Sequence, residues 1–266
     1  MSYQVEFDYS KNDIIKALKS VGLKKGDSVF SHSNIGFFGR LAEAKDKYDY
    51  YKIFKEAIFD VIGSDGTFVV PTFSYSFCKK EIFDVKNTPS TCGFLSEMVR
   101  VDKDSLRSLD ANFSVSVIGK NAKFFTEKAP EHSFGPNSFW ERFVKLNGKI
   151  CNFNFDAGST FFHYFEKFLG VDYRFDKAFS GEIILEKGEK IKGIFYHFCR
   201  DLNKPDNYPD NTKFDKTART KNLVKCANLG KGQIVLISAK DSYELIRYEI
   251  KINPGFLIME KKLKEL

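Results

Sequence analysis

"KICNFNFDAGSTFFHYFEKFLG", residues 149–170, decides how this chain folds. "KICNFNF" is a short, largely apolar run of strand length. "DAGS" is a turn-forming loop, and Thr160 is a candidate helix cap. From there the apolar residues recur at helical spacing, with Phe161, Phe165 and Phe168 expected on one core-facing stripe. Strand, loop and helix in that order are one step of an α/β architecture. The step also places polar residues beyond the strand end, at a helix N-terminus where backbone N–H groups and the positive dipole end are free. His163 stands near that end, with Glu166 three places on and so on the same face. Such a pair is as consistent with a surface contact as with a base oriented by a carboxylate.

The same alternation runs upstream. "YSKNDIIKALKSVGLKKGD" predicts a helix with Ser10 or Asn12 at its cap, Ile14, Ile15, Leu18 and Val21 on one face, and Gly22 at the stop. "SVFSHSN" (28–34) is a short strand with a polar end. "DYYKIFKEAIFDVIG" is an amphipathic helix with Tyr51, Phe54, Ile58 and Ile62 on its stripe, and "TFVVPTF" (67–73) is a buried strand. "STCGFLSEMVR" reads as a helix, "FSVSVIG" as a strand before a short helix. "NSFWERFVKLNG" is a helix with a capping box of Ser138 and Glu141, ending at Gly148. The expectation is a mixed central sheet flanked by helices, an α/β/α sandwich. After Gly181 the texture changes. "GEIILEKGEKIKGIFYHFCRD" reads as a hairpin around Lys187-Gly188. A polar loop, a helix, the strand "GQIVLIS", another helix and a Pro254-Gly255 tail follow. Residues 1–180 are expected to form the catalytic core, and 181–266 a smaller α+β part packed on it.

At 266 residues the chain is long enough to bury a large core, and 29 phenylalanines supply it. Five cysteines, odd in number and without a CxxC pair, suggest neither a disulfide framework nor a metal site, so no metal is expected. A reducing cytoplasm fits that usage. The N-terminus shows no apolar signal region, and no run is long enough to span a membrane. The formal charge of +7 comes from scattered lysines, and no nucleic-acid-binding signature accompanies it. GxGxxG, Walker A, GxSxG and HExxH are all missing. A homodimer is left open.

Two more strand ends carry candidate chemistry. "SHSN" offers His32, Ser33 and Asn34 ahead of Gly36 and Gly39, a polar turn able to cradle an anion or line a cofactor channel. "RSLDANFS" (107–114) brings Arg107, Asp110 and several small hydroxyls to a strand start.

Taken in order, these segments resemble the aminoglycoside 3-N-acetyltransferase family of acetyl-CoA-dependent enzymes. The family's HSS pattern is "HSN" here, and its "GTLVMPTF"-like strand is "GTFVVPTFSY". Its RSxHPxxS segment is "RSLDANFS", its SPxxxLxxxG segment "NSFWERFVKLNG", and its TxxHxxE signature falls on Thr160, His163 and Glu166. The resemblance spans nearly the whole chain. It implies an acyl-CoA co-substrate and a small-molecule amine acceptor, with His163 as the base and Glu166 as its orienting partner. It implies His32, Ser33, Asn34, Ser138 and Thr160 as contacts to coenzyme A. Arg107, Asp110 and Thr72 fall on the acceptor side. Asn34 departs from the second Ser of HSS. Asp110 and Ala111 replace the His-Pro of RSxHP, which points the acceptor away from aminoglycosides and toward an amino-deoxy sugar. With Lys204, Lys213, Lys216, Arg219 and Lys221 in the following loop region, the expectation is a nucleotide-linked amino sugar of surface-polysaccharide synthesis. Antibiotic acetylation, and a non-catalytic protein that holds coenzyme A or a nucleotide, are the alternatives.

Overall fold

The structure is a computed structural model that describes residues 6–203 and 207–259. Its elements follow in order: α1 (Lys11–Ser20), β1 (Ser28–Phe30), a 3-10 turn (Ile35–Phe38), α2 (Lys47–Ile62), β2 (Thr67–Pro71), β3 (Phe83–Asp84), α3 (Phe94–Arg100) and β4 (Leu106–Arg107). Then come β5 (Val115–Gly119), α4 (Ala122–Thr126), α5 (Phe139–Lys145), β6 (Lys149–Phe153) and α6 (Phe161–Leu169). The chain finishes with β7 (Arg174–Ile184), β8 (Lys190–Arg200), α7 (Thr212–Thr220), β9 (Lys225–Leu229), β10 (Gly232–Ser238) and α8 (Ala239–Ile252). Local chemistry accounts for the helix starts. Ser10 and Asp13 form a reciprocal capping box on α1, and Asp46 accepts from two N–H groups of α2. Ser138 caps α5, but the Glu141 carboxylate accepts from the N–H of Asn137 rather than that of Ser138, so only half of the expected box forms.

Seven strands form one mixed sheet in the order β4-β5-β2-β1-β6-β10-β9. The central trio β2, β1 and β6 is parallel, and the outer strands run antiparallel to their neighbours. Alternate residues of the strands face opposite layers. Phe68 and Val70 pack with α1, α2 and α3, while Val69 packs with α4, α5, α6 and α8. This is the α/β/α sandwich expected. A second, three-stranded sheet, β3-β7-β8, is built on the hairpin and lies against Phe77 and Ala111.

The C-terminal region is woven into this frame. β10 pairs along β6, and β9 forms the edge of the main sheet. The hairpin strand β7 begins at Arg174, so the expected division at 180/181 falls inside it. β9 was absent from the sequence expectation, because "KCANL" is lysine-bearing and mostly exposed, as an edge strand can be. Phe168 also departs from expectation: it is 66% exposed, while Phe162 and Tyr164 are buried in its place.

The topology fixes where a ligand can bind. The chain runs from β1 to β2 through α2 on one face and enters β6 from α5 on the other. Such a switch opens a crevice beyond the carboxyl ends of β1 and β6.

Candidate active site

Residues 31–34 after β1 and 154–160 after β6 meet in that crevice. Asn152, fully buried, joins them. Its Oδ1 accepts from the His32 N–H at 3.1 Å, and its Nδ2 donates to the carbonyls of Asp156 at 2.7 Å and Gly158 at 2.9 Å. Gly158 packs closely here: a Cβ would lie 2.7 Å from Asn211 Nδ2, and that side chain would have to shift to admit it.

His163 occupies the third position of α6. Its Nδ1 lies 2.9 Å from Glu166 Oε2, and 27% of its side chain is accessible. Glu166 is almost wholly buried and has three partners. Tyr173 donates its hydroxyl to Oε1 at 3.0 Å, and Arg174 Nε lies 2.8 Å from Oε2, at ion-pair distance without hydrogen-bond alignment. Burial alone would raise the Glu166 carboxyl. The bond from His163, the charges of His163 and Arg174, and the Tyr173 hydroxyl together hold it below the usual range. The carboxylate is therefore ionised and can only accept, which places the proton of the neutral imidazole on Nδ1 and leaves Nε2 as a lone-pair base. Burial first, and then the Arg174 charge, pull the His163 pKa below its ordinary value against the opposing effect of Glu166. Phe134 stands edge-on to the ring at 5.4 Å. Tyr173 and Arg174 lie beyond the TxxHxxE pattern, and nothing in the sequence marked them.

His32 has the opposite arrangement. Its Nε2 accepts from the N–H of Thr160 at 3.3 Å and lies 3.2 Å from the Thr160 hydroxyl. Burial pushes its pKa down to about 4. The expectation of free N–H groups in this loop is corrected by the same contacts. Besides Thr160, Ala157 donates to Asp215, Gly158 to Asp156, and Phe161 to the Ser159 hydroxyl. Thr160 makes no side-chain cap bond to α6.

Several other expected site residues serve the scaffold. Thr72 is fully buried, and its hydroxyl lies among Ser114 and Ser116. Arg107 donates to the carbonyls of Thr72, Val85 and Thr88 and to the Ser114 hydroxyl, and its guanidinium lies over Phe83. Ser138 is 1% exposed and caps α5. Asp110 Oδ1 accepts from the N–H groups of Asn112 and Phe113, at 2.9 Å each, which folds the loop into an Asx turn. In the basic loop region, Lys213 donates to the carbonyls of Gly255 and Ile258, Arg219 pairs with Asp215, and Lys221 lies 3.9 Å from Glu249. Lys216 is exposed, and Lys204 lies outside the described residues.

Two cavities meet at Ser33, whose hydroxyl is buried without a partner. The larger, about 640 Å3, has an apolar floor of Ile35, Leu41, Tyr50 and Phe94 and a rim carrying Arg40, Lys45 and Lys47. The smaller, about 460 Å3, is lined by His32, Phe73, Thr91, Asp156 and Thr160. Asn34 lines the first. Tyr75, which packs on Phe73, adopts a left-handed φ of 57°. An aromatic residue held there costs on the order of 1–3 kcal/mol and marks a constrained loop.

A neutral imidazole oriented by a buried carboxylate, in a fold that also carries two cavities joined at Ser33, suits the transfer of a group to a protic acceptor; the class is that of the transferases. The comparisons carry this further. The family model described as aminoglycoside 3-N-acetyltransferase matches residues 32–250. Among solved structures, the chain is similar to aminoglycoside acetyltransferase AAC(3)-Xa, with 19% identity, a TM-score of 0.78 and 93% of each chain covered. It is similar to AAC-IIIb in a binary complex with CoASH at 18% identity and TM-score 0.76, covering 91% of this chain and 96% of that one. It is similar to AAC-VIa bound to sisomicin at 20% identity and TM-score 0.76, covering 92% and 98%. No curated protein matches. The chain belongs to the aminoglycoside 3-N-acetyltransferase family and is an N-acyltransferase.

Proposed function

We propose that the protein moves an acetyl group, or another short acyl group, from its coenzyme A thioester directly to the amine of an amino sugar, with His163 as general base. The observation that carries the reading is the His163–Glu166 contact at 2.9 Å, with Nε2 left bare. An ammonium has no lone pair, so a proton must leave before nitrogen can attack. His163 Nε2 takes it. The buried Glu166 carboxylate stabilises the resulting imidazolium. Nitrogen then bonds to the thioester carbon, and the carbon–sulfur bond breaks with its electron pair going to sulfur. The second proton that nitrogen sheds on becoming an amide passes to the coenzyme A thiolate, while His163 returns its proton to solvent.

Coenzyme A is a thin arm on a phosphorylated nucleotide, and the joined cavities match that shape. The phosphates would meet Arg40, Lys45 and Lys47 at the rim of the larger chamber. The arm would pass the orphan hydroxyl of Ser33, and the thioester would enter the smaller chamber between His32, Thr160 and Phe73. That AAC-IIIb was solved with CoASH supports this co-substrate.

For the acceptor, the prior engagement of three carboxylates favours few amines. Glu166 is fully engaged, Asp176 binds Lys167 at 2.6 Å, and Asp110 has one oxygen committed to backbone N–H groups. A polycation would meet little negative charge. The nucleotide-linked form rests on the net charge and the exposed Lys216, since Lys213 and Arg219, which would hold a diphosphate, have other partners. A second reading, an aminoglycoside acceptor, is favoured by the family description and by the sisomicin complex of AAC-VIa. The test is thiol release from acetyl-CoA with a panel of glucosamine, a nucleotide-diphosphate 4-amino-4,6-dideoxy sugar, and kanamycin. The amino-sugar reading expects either sugar to exceed kanamycin in kcat/KM; a wide margin for kanamycin establishes the second reading. No amine-dependent release from any of them removes both.

A further inference from the structure

His197, in the middle of β8, belongs to none of the machinery above. It is 5% exposed, and its Nε2 is buried with no hydrogen-bond partner among the described residues. A buried polar nitrogen without a partner costs free energy that a ligand can recover. The rest of the ring is fixed. Phe113 and Phe179 pack on it with centroids at 4.7 Å each, and its Nδ1 lies 3.6 Å from Cys78 Sγ. Burial holds the imidazole below its ordinary pKa, against the nearby charge of Asp110, so the ring is neutral. Burial, then Cys199 and Asp110, push the Cys78 thiol up to about 11, so it stays protonated and the pair holds no thiolate nucleophile.

The position connects this ring to the base. Phe113 touches Phe134 at 4.8 Å, and Phe134 touches His163 at 5.4 Å. Phe113 and Phe134 thus link His197 to His163 through consecutive ring contacts. Asp110, at the His197 end, has committed Oδ1 to two backbone N–H groups and makes no other hydrogen bond with Oδ2 among the described residues.

We propose that His197, with the free oxygen of Asp110, binds a hydroxyl on the edge of the acceptor remote from the reacting amine and so selects the acceptor. A sugar hydroxyl both donates and accepts, so it satisfies Nε2 in either tautomer of the ring. A site built around such a hydrogen bond discriminates strongly against an acceptor that lacks the hydroxyl, because the buried nitrogen is then left unpaired. This selection rests on the amine-acceptor reading above.

The experiment takes the amine from the panel that turns over and each of its monodeoxy forms. In the wild type, one deoxy position is expected to cost at least about tenfold in kcat/KM. In His197→Phe and His197→Leu, which can make no hydrogen bond there, that particular cost should vanish, with the KM for acetyl-CoA unchanged. A purely structural role would leave the deoxy penalties the same in variant and wild type, and that result overturns the proposal. Should neither variant fold, 15N-histidine spectra of the wild type decide, the chain having four histidines. Saturating acceptor must shift the His197 Nε2 resonance and leave that of His32 in place; an unmoved His197 signal overturns the proposal. If the wild type turns over no amine, the failure is that of the function reading.

Discussion

Two imidazoles, one just after β1 and one on the helix after β6, have opposite arrangements of partners. At the end of β1, His32 has its Nε2 occupied by Thr160, and burial holds it neutral down to a pH of about 4. On α6, His163 has its Nδ1 engaged by a buried carboxylate and its Nε2 bare. Both lie in motif-bearing segments, His163 expected as the base and His32 as a coenzyme A contact. The difference is the partner. A carboxylate can receive the charge that develops when the ring takes a proton, whereas a backbone N–H and a hydroxyl cannot. His32 is thus a neutral strut between two strand ends, and His163 can cycle its charge.

The contrast breaks most severely at Glu166. Glu166→Ala leaves Arg174 buried without its counter-charge, and removing one partner of such a pair costs about 3–5 kcal/mol. Urea unfolding should show that loss, whereas His32→Asn should lose clearly less. Equal losses would mean that the α6 cluster is no more charged than the β1 strut.

The pH dependence of stability sharpens the same contrast. The folded-state pKa of His32 is depressed from 6.5 to about 4. The unfolded chain therefore binds the extra proton first, and stability is full above the unfolded value and falls as pH drops through that window. Between pH 7 and pH 5 the loss from this group is about 2 kcal/mol by linkage. His32→Asn should flatten the profile over that range; an unchanged slope would show that His32 is not the buried neutral group described.

Thr160 gives the smallest effect. Its hydroxyl faces His32 and lines the smaller cavity. Thr160→Val should weaken thermal protection by coenzyme A by no more than a few-fold in Kd, the scale of one neutral hydrogen bond. Unchanged affinity would remove the hydroxyl from the co-substrate path.

How much of this was legible followed the range of each interaction. The stripe Tyr51, Phe54, Ile58 and Ile62 and the cap Ser10 are local, and all appear where the periodicity put them. The His163–Glu166 pair is local too, at three residues. What decides its chemistry is not: Arg174 and Tyr173 arrive from the segment after α6, and Phe134 from another loop. Asn152 reaches His32 across 120 positions, and Cys78 reaches His197 across 119. Arg107 looked like a ligand-binding cation because sequence shows charge but not the backbone carbonyls that surround it. Lys213 is held in the same way, by the carbonyls of Gly255 and Ile258.

The central claim is that His163 is the base, and the pH profile of kcat/KM for thiol release tests it most directly. In the wild type the rate should fall on the acid side with an apparent pKa below the ordinary histidine value of about 6.5, because the ring is held neutral. His163→Ala should lose that limb and at least about 100-fold in kcat, with its thermal protection by coenzyme A intact. A His163→Ala enzyme that keeps both the acid limb and a near wild-type rate would contradict the account.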